Sequence, residues 1–172
     1  MSALRFQTMK GFTVIELVVT LVLISIVSVT AYSRWFDTSS FDATTLRSGV
    51  LSAARVAQRI ALSHATAVVT LTVSRSGDQY TASVTETIGS VSQTAFSASI
   101  VTDTAVTASA GGSTQTLSSS VPLQLTFDSL GNVTAVVLGA VTTTGSQGVQ
   151  LVTGSLPLCV SPVGYAHEGN CV

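Results

Sequence analysis

Residues 12–31 form a predominantly apolar run that contains one charged side chain, Glu16. Twenty residues of α-helix, at about 1.5 Å per residue, extend about 30 Å, which matches the hydrocarbon core of a bilayer. We therefore predict that 12–31 is the transmembrane half of an N-terminal helix. A carboxylate deep in lipid costs about 2.5 kcal/mol or more without a partner. Glu16 is therefore expected to have a function.

An amine would be a suitable partner for Glu16, and the residues before the apolar run indicate where one could arise. A cut between Gly11 and Phe12 would create a new α-amino group about one helical turn from the carboxylate. A carboxylate in the first turn also suits the positive end of the helix dipole.

The segment Met9-Lys10-Gly11-Phe12-Thr13-Val14-Ile15-Glu16-Leu17 resembles the class III signal of type IV pilins and type II secretion pseudopilins. The resemblance implies that 1–11 is a leader peptide, which a prepilin peptidase removes after Gly11 before methylating Phe12. It also implies that Glu16 attracts the N-terminal amine of a neighbouring subunit. The implied partners are the inner membrane, the prepilin peptidase, the pilus assembly platform, and other major and minor pilins.

Two other interpretations of this region remain open. Residues 1–31 also have the plan of a secretory signal, with Val29-Thr30-Ala31 as a cleavage site. The apolar run is long for such a signal, and Glu16 would weaken it. A plain single-pass anchor is the other alternative, and it leaves Gly11, Phe12 and Glu16 unexplained.

The charged residues indicate the orientation and the compartment. Arg5 and Lys10 precede the apolar run, so the positive-inside tendency places the N-terminus in the cytoplasm and the rest of the chain in the periplasm. Two cysteines, Cys159 and Cys171, agree with an oxidising compartment. Only 9% of residues are charged and the formal net charge is -1, which makes a general nucleic-acid-binding surface unlikely.

Residues 32–64 are predicted to be the amphipathic half of the helix, because apolar residues recur there at three- and four-residue spacing. Ser39, Ser40 and Asp42 could cap a restart, so a kink within 38–44 is compatible with the sequence. The face opposite the apolar stripe carries Arg47, Arg55 and Arg59. These arginines are either a solvated face or a contact with acidic groups of adjacent subunits, and a role in phosphate binding is weakly supported.

Residues 65–172 change to a period of two and predict a β-rich head. The expected fold is α+β, with a long N-terminal hydrophobic helix packed against a small antiparallel sheet domain, as in type IV pilins. One hairpin is predicted at 67–86 and another at 121–138. A further strand is predicted at 148–153. Residues 87–120 are predicted to be a loop region with one strand at 95–101.

Further resemblance is to minor pilins and pseudopilins of the H type, including the FimT-like group. It is carried by 53–61, which reads AARVAQRIA, and by 125–132, which reads LTFDSLGN. The tail from Cys159 to Cys171 resembles that of minor pilins of the mannose-sensitive haemagglutinin pilus.

The same tail predicts a disulfide between Cys159 and Cys171, worth about 3 kcal/mol by loop closure. The competing interpretation is a metal site that also uses His167 and Glu168. Paired thiolates outside the cytosol are usually oxidised, which favours the disulfide.

No arrangement of nucleophile, base and acid is recognisable, and no cofactor is expected. The sequence therefore predicts a structural protein rather than an enzyme. The resemblance implies a minor type IV pilin that primes or caps assembly of a pilus used in surface attachment. A type II secretion minor pseudopilin and a pilus-tip adhesin or DNA-binding module are the alternatives.

Overall fold

The computed structural model describes residues 13–35 and 38–171, and side chains over 13–28 and 41–171. It contains two helices followed by two antiparallel sheets, so the predicted α+β class is confirmed and is compatible with a type IV pilin fold. The chain divides into two compact units, one up to Thr38 and one from Ser39 onward.

The first unit contains helix α1, Val14–Trp35. All described side chains of α1, from Val14 to Ser28, are exposed, although most of them are apolar. Within the part of the chain that the structure describes, no helix has both the length and the apolarity needed to cross a membrane.

Helix α2, Thr38–Ser63, belongs to the second unit from Ser39 onward and ends within one residue of the predicted end. Its buried face combines three larger apolar side chains, Leu46, Val50 and Leu51, with a stripe of small side chains that have no exposed area, Ala53, Ala54, Ala57 and Ala61. Small side chains let a helix lie close to a sheet, so this stripe explains where the sheets pack. The helix is uninterrupted between 38 and 44, and residues 36 and 37 lie outside the described ranges.

Eleven strands follow α2 and form two sheets. The strands are β1 Val68–Ser76, β2 Gln79–Ile88, β3 Val91–Val101, β4 Val106–Ala110, β5 Ser113–Thr116, β6 Leu123–Phe127, β7 Val133–Leu138, β8 Val141–Thr144, β9 Val149–Thr153, β10 Leu156–Val160 and β11 Ala166–Glu168. The first sheet has the order β3-β2-β1-β6-β7-β8, and the second has the order β11-β10-β9-β4-β5.

One hydrophobic core is shared by α2 and the inward faces of both sheets. Strands of both sheets alternate buried and half-exposed residues, as expected for sheets with one covered face. Tyr80 on β2 is completely buried, and its hydroxyl oxygen accepts a hydrogen bond of 3.1 Å from the backbone N–H of Val106 on β4. This bond connects the two sheets through the middle of the core.

The segment 87–120 differs from its prediction as a loop with one strand, because it contains β3, β4 and β5. Its many small and polar residues offer little apolar area. In the structure Val106, Ala108 and Ala110 alternate inward on β4 and are buried. Small inward side chains fit where the two sheets and the helix approach closely, so the low apolar area did not prevent strand formation.

Candidate functional site

The first turn of α1 places Glu16 on an apolar helix surface. Thr13 caps this turn: its hydroxyl oxygen accepts a hydrogen bond from the N–H of Glu16 at 3.3 Å, and its carbonyl accepts one from the N–H of Leu17 at 3.2 Å. Among the described residues the Glu16 carboxylate has no hydrogen-bond or ion-pair partner. The carboxylate is therefore free to receive a cation from outside the described chain.

The other described polar side chains of α1 behave differently, because their hydroxyls are satisfied within the helix. Thr20, Ser25 and Ser28 donate hydrogen bonds to the carbonyls three or four residues earlier, over 2.7 to 2.9 Å. Such bonding suits an apolar environment, since it leaves no hydroxyl donor unpaired. Glu16 is thus the one unsatisfied charged group on the described surface of α1, whereas Gly11 and Phe12 lie outside the described residues.

The three arginines of α2 do not form one surface. Arg55 and Arg59 are exposed, as the helical pattern predicts. The Arg47 side chain is 17% exposed and forms an ion pair of 3.0 Å with Glu168 on β11. Arg47 therefore connects α2 to the C-terminal tail, and only Arg55 and Arg59 present free guanidinium groups among the described arginines of this helix.

The C-terminal tail is closed by a disulfide between Cys159 on β10 and Cys171, with their Cα atoms 5.1 Å apart. Gln150 on β9 accepts a hydrogen bond from the N–H of Cys171 and donates one to Asn170. The disulfide and His167 line an open cavity of about 360 Å³. No group of three metal-ligating side chains occurs among the described residues.

A junction that the sequence did not predict lies where α2, the β6–β7 turn and the tail meet. Gln58 on α2 donates a hydrogen bond of 2.9 Å to the carbonyl of Val163 in the tail. Gly131 in the turn lies against Gln58 and Leu62, and Gly164 lies so close to Gly131 that a Cβ there would be 1.9 Å from the Gly131 carbonyl oxygen. We call these residues the Gln58 junction. The Gln58 junction brings together 53–61, 125–132 and the C-terminal tail, which are the three segments that carry the resemblances to minor pilins.

The turn in this junction is organised by Asp128. One of its carboxylate oxygens accepts hydrogen bonds from the N–H groups of Leu130 and Asn132, at 2.9 and 2.8 Å, and the other accepts one from the Asn132 side-chain amide. Desolvation raises the pKa of Asp128, but the bonds from Asn132 and Leu130 together outweigh it, so the pKa lies below its ordinary value. The ionised carboxylate therefore stabilises the turn.

A second feature missed by the sequence interpretation is the contact between the His64 Nδ1 atom and a carboxylate oxygen of Glu86. Glu86 on β2 is 4% exposed, and its second oxygen accepts a hydrogen bond of 3.1 Å from Gln93 on β3. The alternation of β2 places Glu86 on the inward face, which was the available signal for a buried carboxylate. The contact joins the end of α2 to the strands beside it.

The family model described as the prokaryotic N-terminal methylation motif matches residues 7–32. The match supports a type IV pilin or pseudopilin. It includes Gly11, Phe12 and Glu16, and such a leader implies processing by prepilin peptidase and association with other pilins. It also indicates a structural subunit and is consistent with inner-membrane anchoring and pilus assembly. Searches of the curated proteins and of the solved structures found no significant match to the chain.

Proposed function

We propose that the chain is a minor type IV pilin, a structural subunit that primes or caps assembly of a pilus used in surface attachment. The observation that carries the proposal is the methylation motif at 7–32. Its support from the structure is the unpaired Glu16 carboxylate in the capped first turn of α1. In this proposal, 1–11 is the leader, 12–31 the membrane half of the helix, 32–64 its amphipathic half and 65–172 the head.

The exposed apolar side chains of α1 are the reason for assigning it first to the inner membrane and then to a filament core. Val14 and Ile15 are 83% and 73% exposed, and the other large apolar side chains described in α1 are 50% to 63% exposed. A helix that is apolar all round requires an apolar environment. Lipid supplies this environment before assembly, and the helices of neighbouring subunits supply it in the filament.

Glu16 gives the assembly step its register in this mechanism. The subunit inserts with its N-terminus in the cytoplasm, prepilin peptidase cuts after Gly11, and Phe12 is methylated. The methylated amine of one subunit then pairs with Glu16 of a neighbour as the assembly platform extracts the helix. The pairing removes the cost of an isolated carboxylate in an apolar environment, so it favours one axial position over others.

The finer assignment, to the mannose-sensitive haemagglutinin pilus and to its minor pilin C, is supported by the tail resemblance. The disulfide between Cys159 and Cys171 and the ion pair between Arg47 and Glu168 hold this tail on the head. A minor pseudopilin of a type II secretion system would share the same motif and helix. Co-purification with pilus subunits, rather than with secretion-system subunits, would distinguish the two.

A tip adhesin or DNA-binding module has less support. Arg55 and Arg59 are exposed, but Arg47 is engaged by Glu168, and the net charge is -1. Two arginines give a small phosphate-binding surface without stacking aromatics. Salt-dependent DNA binding that is lost in an Arg55→Ala/Arg59→Ala variant would favour this alternative.

The test of the proposed function is N-terminal mass spectrometry of the full chain, recovered from membranes of a host with and without prepilin peptidase. We expect N-methyl-Phe12 only when the peptidase is present. A Gly11→Leu variant is the matched control and should remain uncut in both hosts. A chain that begins at Tyr32 would show an ordinary secretory signal, and an uncut chain in both hosts would show a plain anchor; either result would overturn the proposal.

A further inference from the structure

The outer edges of the two sheets differ greatly in length. The first sheet ends at β3 and β8, which have 11 and 4 residues, and the second ends at β5 and β11, which have 4 and 3 residues. Short edge strands are one way in which proteins prevent pairing with other chains. Three of these edges have that protection, and β3 does not.

Strand β3 also lacks charge and proline, two other common forms of edge protection. Its sequence, VSQTAFSASIV, contains no charged residue and no proline. It has one β-bulge, at Ala95, which leaves regular pairing with β2 at 91–94 and at 96–101. Val91 and Val101, at its two ends, are 68% and 67% exposed. The β3 edge is therefore a long, neutral row of backbone groups with apolar ends, which suits the addition of another strand.

The second half of the strand packs on its inner side against the core, so this part of the edge is presented in a fixed position, whereas 91–95 are exposed. Phe96 and Ile100 pack against the shared core, and the Cδ1 atom of Ile100 would be 3.8 Å from a Cβ at Gly49 of α2. The Gln93 amide donates to the buried Glu86 carboxylate. A preorganised edge loses little conformational entropy on pairing.

We infer that β3 pairs edge to edge with β3 of a second copy of this chain, in antiparallel orientation. Because β3 contains no charged residue, the β3 edges of two copies do not repel each other. An antiparallel pair of identical strands has two-fold symmetry, and such an interface is closed. The opposite edge, β8, is too short to continue the sheet, so association through β3 stops at a dimer. The inference goes beyond the proposed function and does not rest on it.

The first test measures the self-association of the full chain in detergent micelles by analytical ultracentrifugation. Ser97 is exposed and lies near the middle of β3. The Ser97 residues of the two chains therefore approach each other in any antiparallel pairing that uses most of the strand. Ser97→Lys should raise the dimer dissociation constant about tenfold or more, because it brings like charges together. The control is Thr142→Lys, an exposed position on the opposite edge of the same sheet, which should leave the constant unchanged.

A charge-reversal mixture separates edge pairing from association through α1. Ser97→Lys and Ser97→Glu should each form a weaker dimer than the wild type, and their equimolar mixture should preferentially form a heterodimer. A wild-type chain that stays monomeric, or a dimer that Ser97→Lys does not weaken, would overturn the inference. These outcomes leave the methylation of Phe12 untouched, so failure here and failure of the proposed function are distinguishable.

Cysteine cross-linking locates the contact directly. The two native cysteines are joined in a disulfide, so an introduced thiol is the free one among the described residues. Ser97→Cys should form a disulfide-linked dimer on mild oxidation, whereas Thr142→Cys should not. Equal cross-linking at both positions would contradict the inference, and so would cross-linking of position 97 only to a different protein.

Discussion

Alanine substitutions at three glycines should give a graded loss of stability that tests the Gln58 junction. Gly77, Gly131 and Gly164 all have positive φ, at 60°, 79° and 76°. Each alanine therefore carries a similar backbone strain, about 1–2 kcal/mol. The reduction of unfolded-state entropy is also similar at the three positions and cancels in a comparison. Differences among the variants must then come from what the new methyl group meets.

The structure gives each variant a different neighbour. A Cβ at Gly77 meets nothing within 4 Å, so about 1 kcal/mol of destabilisation is expected. A Cβ at Gly131 would be 3.1 Å from Gln58 and 3.2 Å from Leu62, side chains that can shift, so about 2 kcal/mol is expected. A Cβ at Gly164 would be 1.9 Å from the Gly131 carbonyl oxygen, which belongs to the backbone. We expect about 3 kcal/mol or more there.

The assay is urea unfolding of the full chain in detergent, followed by circular dichroism, with the free energy of unfolding compared at constant m-value. Hydrogen exchange of peptides from 125–133 and 158–171 should show faster exchange in the Gly164→Ala variant than in the Gly77→Ala variant. Equal destabilisation at all three positions would mean that backbone strain alone destabilises the variants and that the new methyl groups meet no close neighbour. That result would refute the close packing of the tail on the β6–β7 turn.

Three further predictions concern Glu16, the disulfide and Asp128. Glu16→Ala should be processed normally but incorporated poorly into filaments, because it removes the charge that an incoming amine seeks; normal incorporation, measured in sheared pili, would contradict the role of Glu16. A Cys159→Ser/Cys171→Ser variant should lose about 3 kcal/mol of stability, since the disulfide closes a loop with a sequence separation of 12. Two free thiols in protein from its native compartment would contradict this pairing. Because the pKa of Asp128 is lowered in the folded chain, its ionised form contributes stability above about pH 4, and the contribution is lost as the pH falls through the folded pKa. Asp128→Asn should therefore show a shallower loss of stability on acidification than the wild type, and equal acid profiles would count against the hydrogen-bonded turn.

Local patterns predicted the elements that depend on neighbouring residues. The first hairpin was predicted at 67–86, and the structure pairs Ser76 with Gln79 at its turn. The apolar spacing in α2 predicted the buried alanine stripe. The segment 87–120 was harder, because serine, threonine and small residues occur both in loops and in strands. What decides between them is burial against another sheet, which a local pattern does not contain.

The residues of the candidate site also divide into those that a local sequence pattern predicts and those that depend on distant contacts. Glu16 could be identified from its position in an apolar run, since an isolated charge there stands out without any knowledge of the fold. The partner of Arg47 could not, because Glu168 lies far away in the sequence and is brought close only by strand pairing in the second sheet. Gln58 likewise reaches a carbonyl 105 residues away. A glutamine on a helix gives no sign of such a contact.

The contacts of Arg47 and Gln58 add directional bonds to the apolar packing of α2. Leu46, Val50 and the alanine stripe pack α2 on the sheets, but apolar packing is non-directional. Arg47 and Gln58 are 11 residues apart in sequence, or about 16 Å along a helix. Each makes a directional contact with the disulfide-closed tail, through Glu168 and the Val163 carbonyl. A shift of one turn would break both contacts at once. The tail therefore fixes the position of α2 against the head, and an axial load on α2 would be borne by these two polar contacts as well as by the apolar packing.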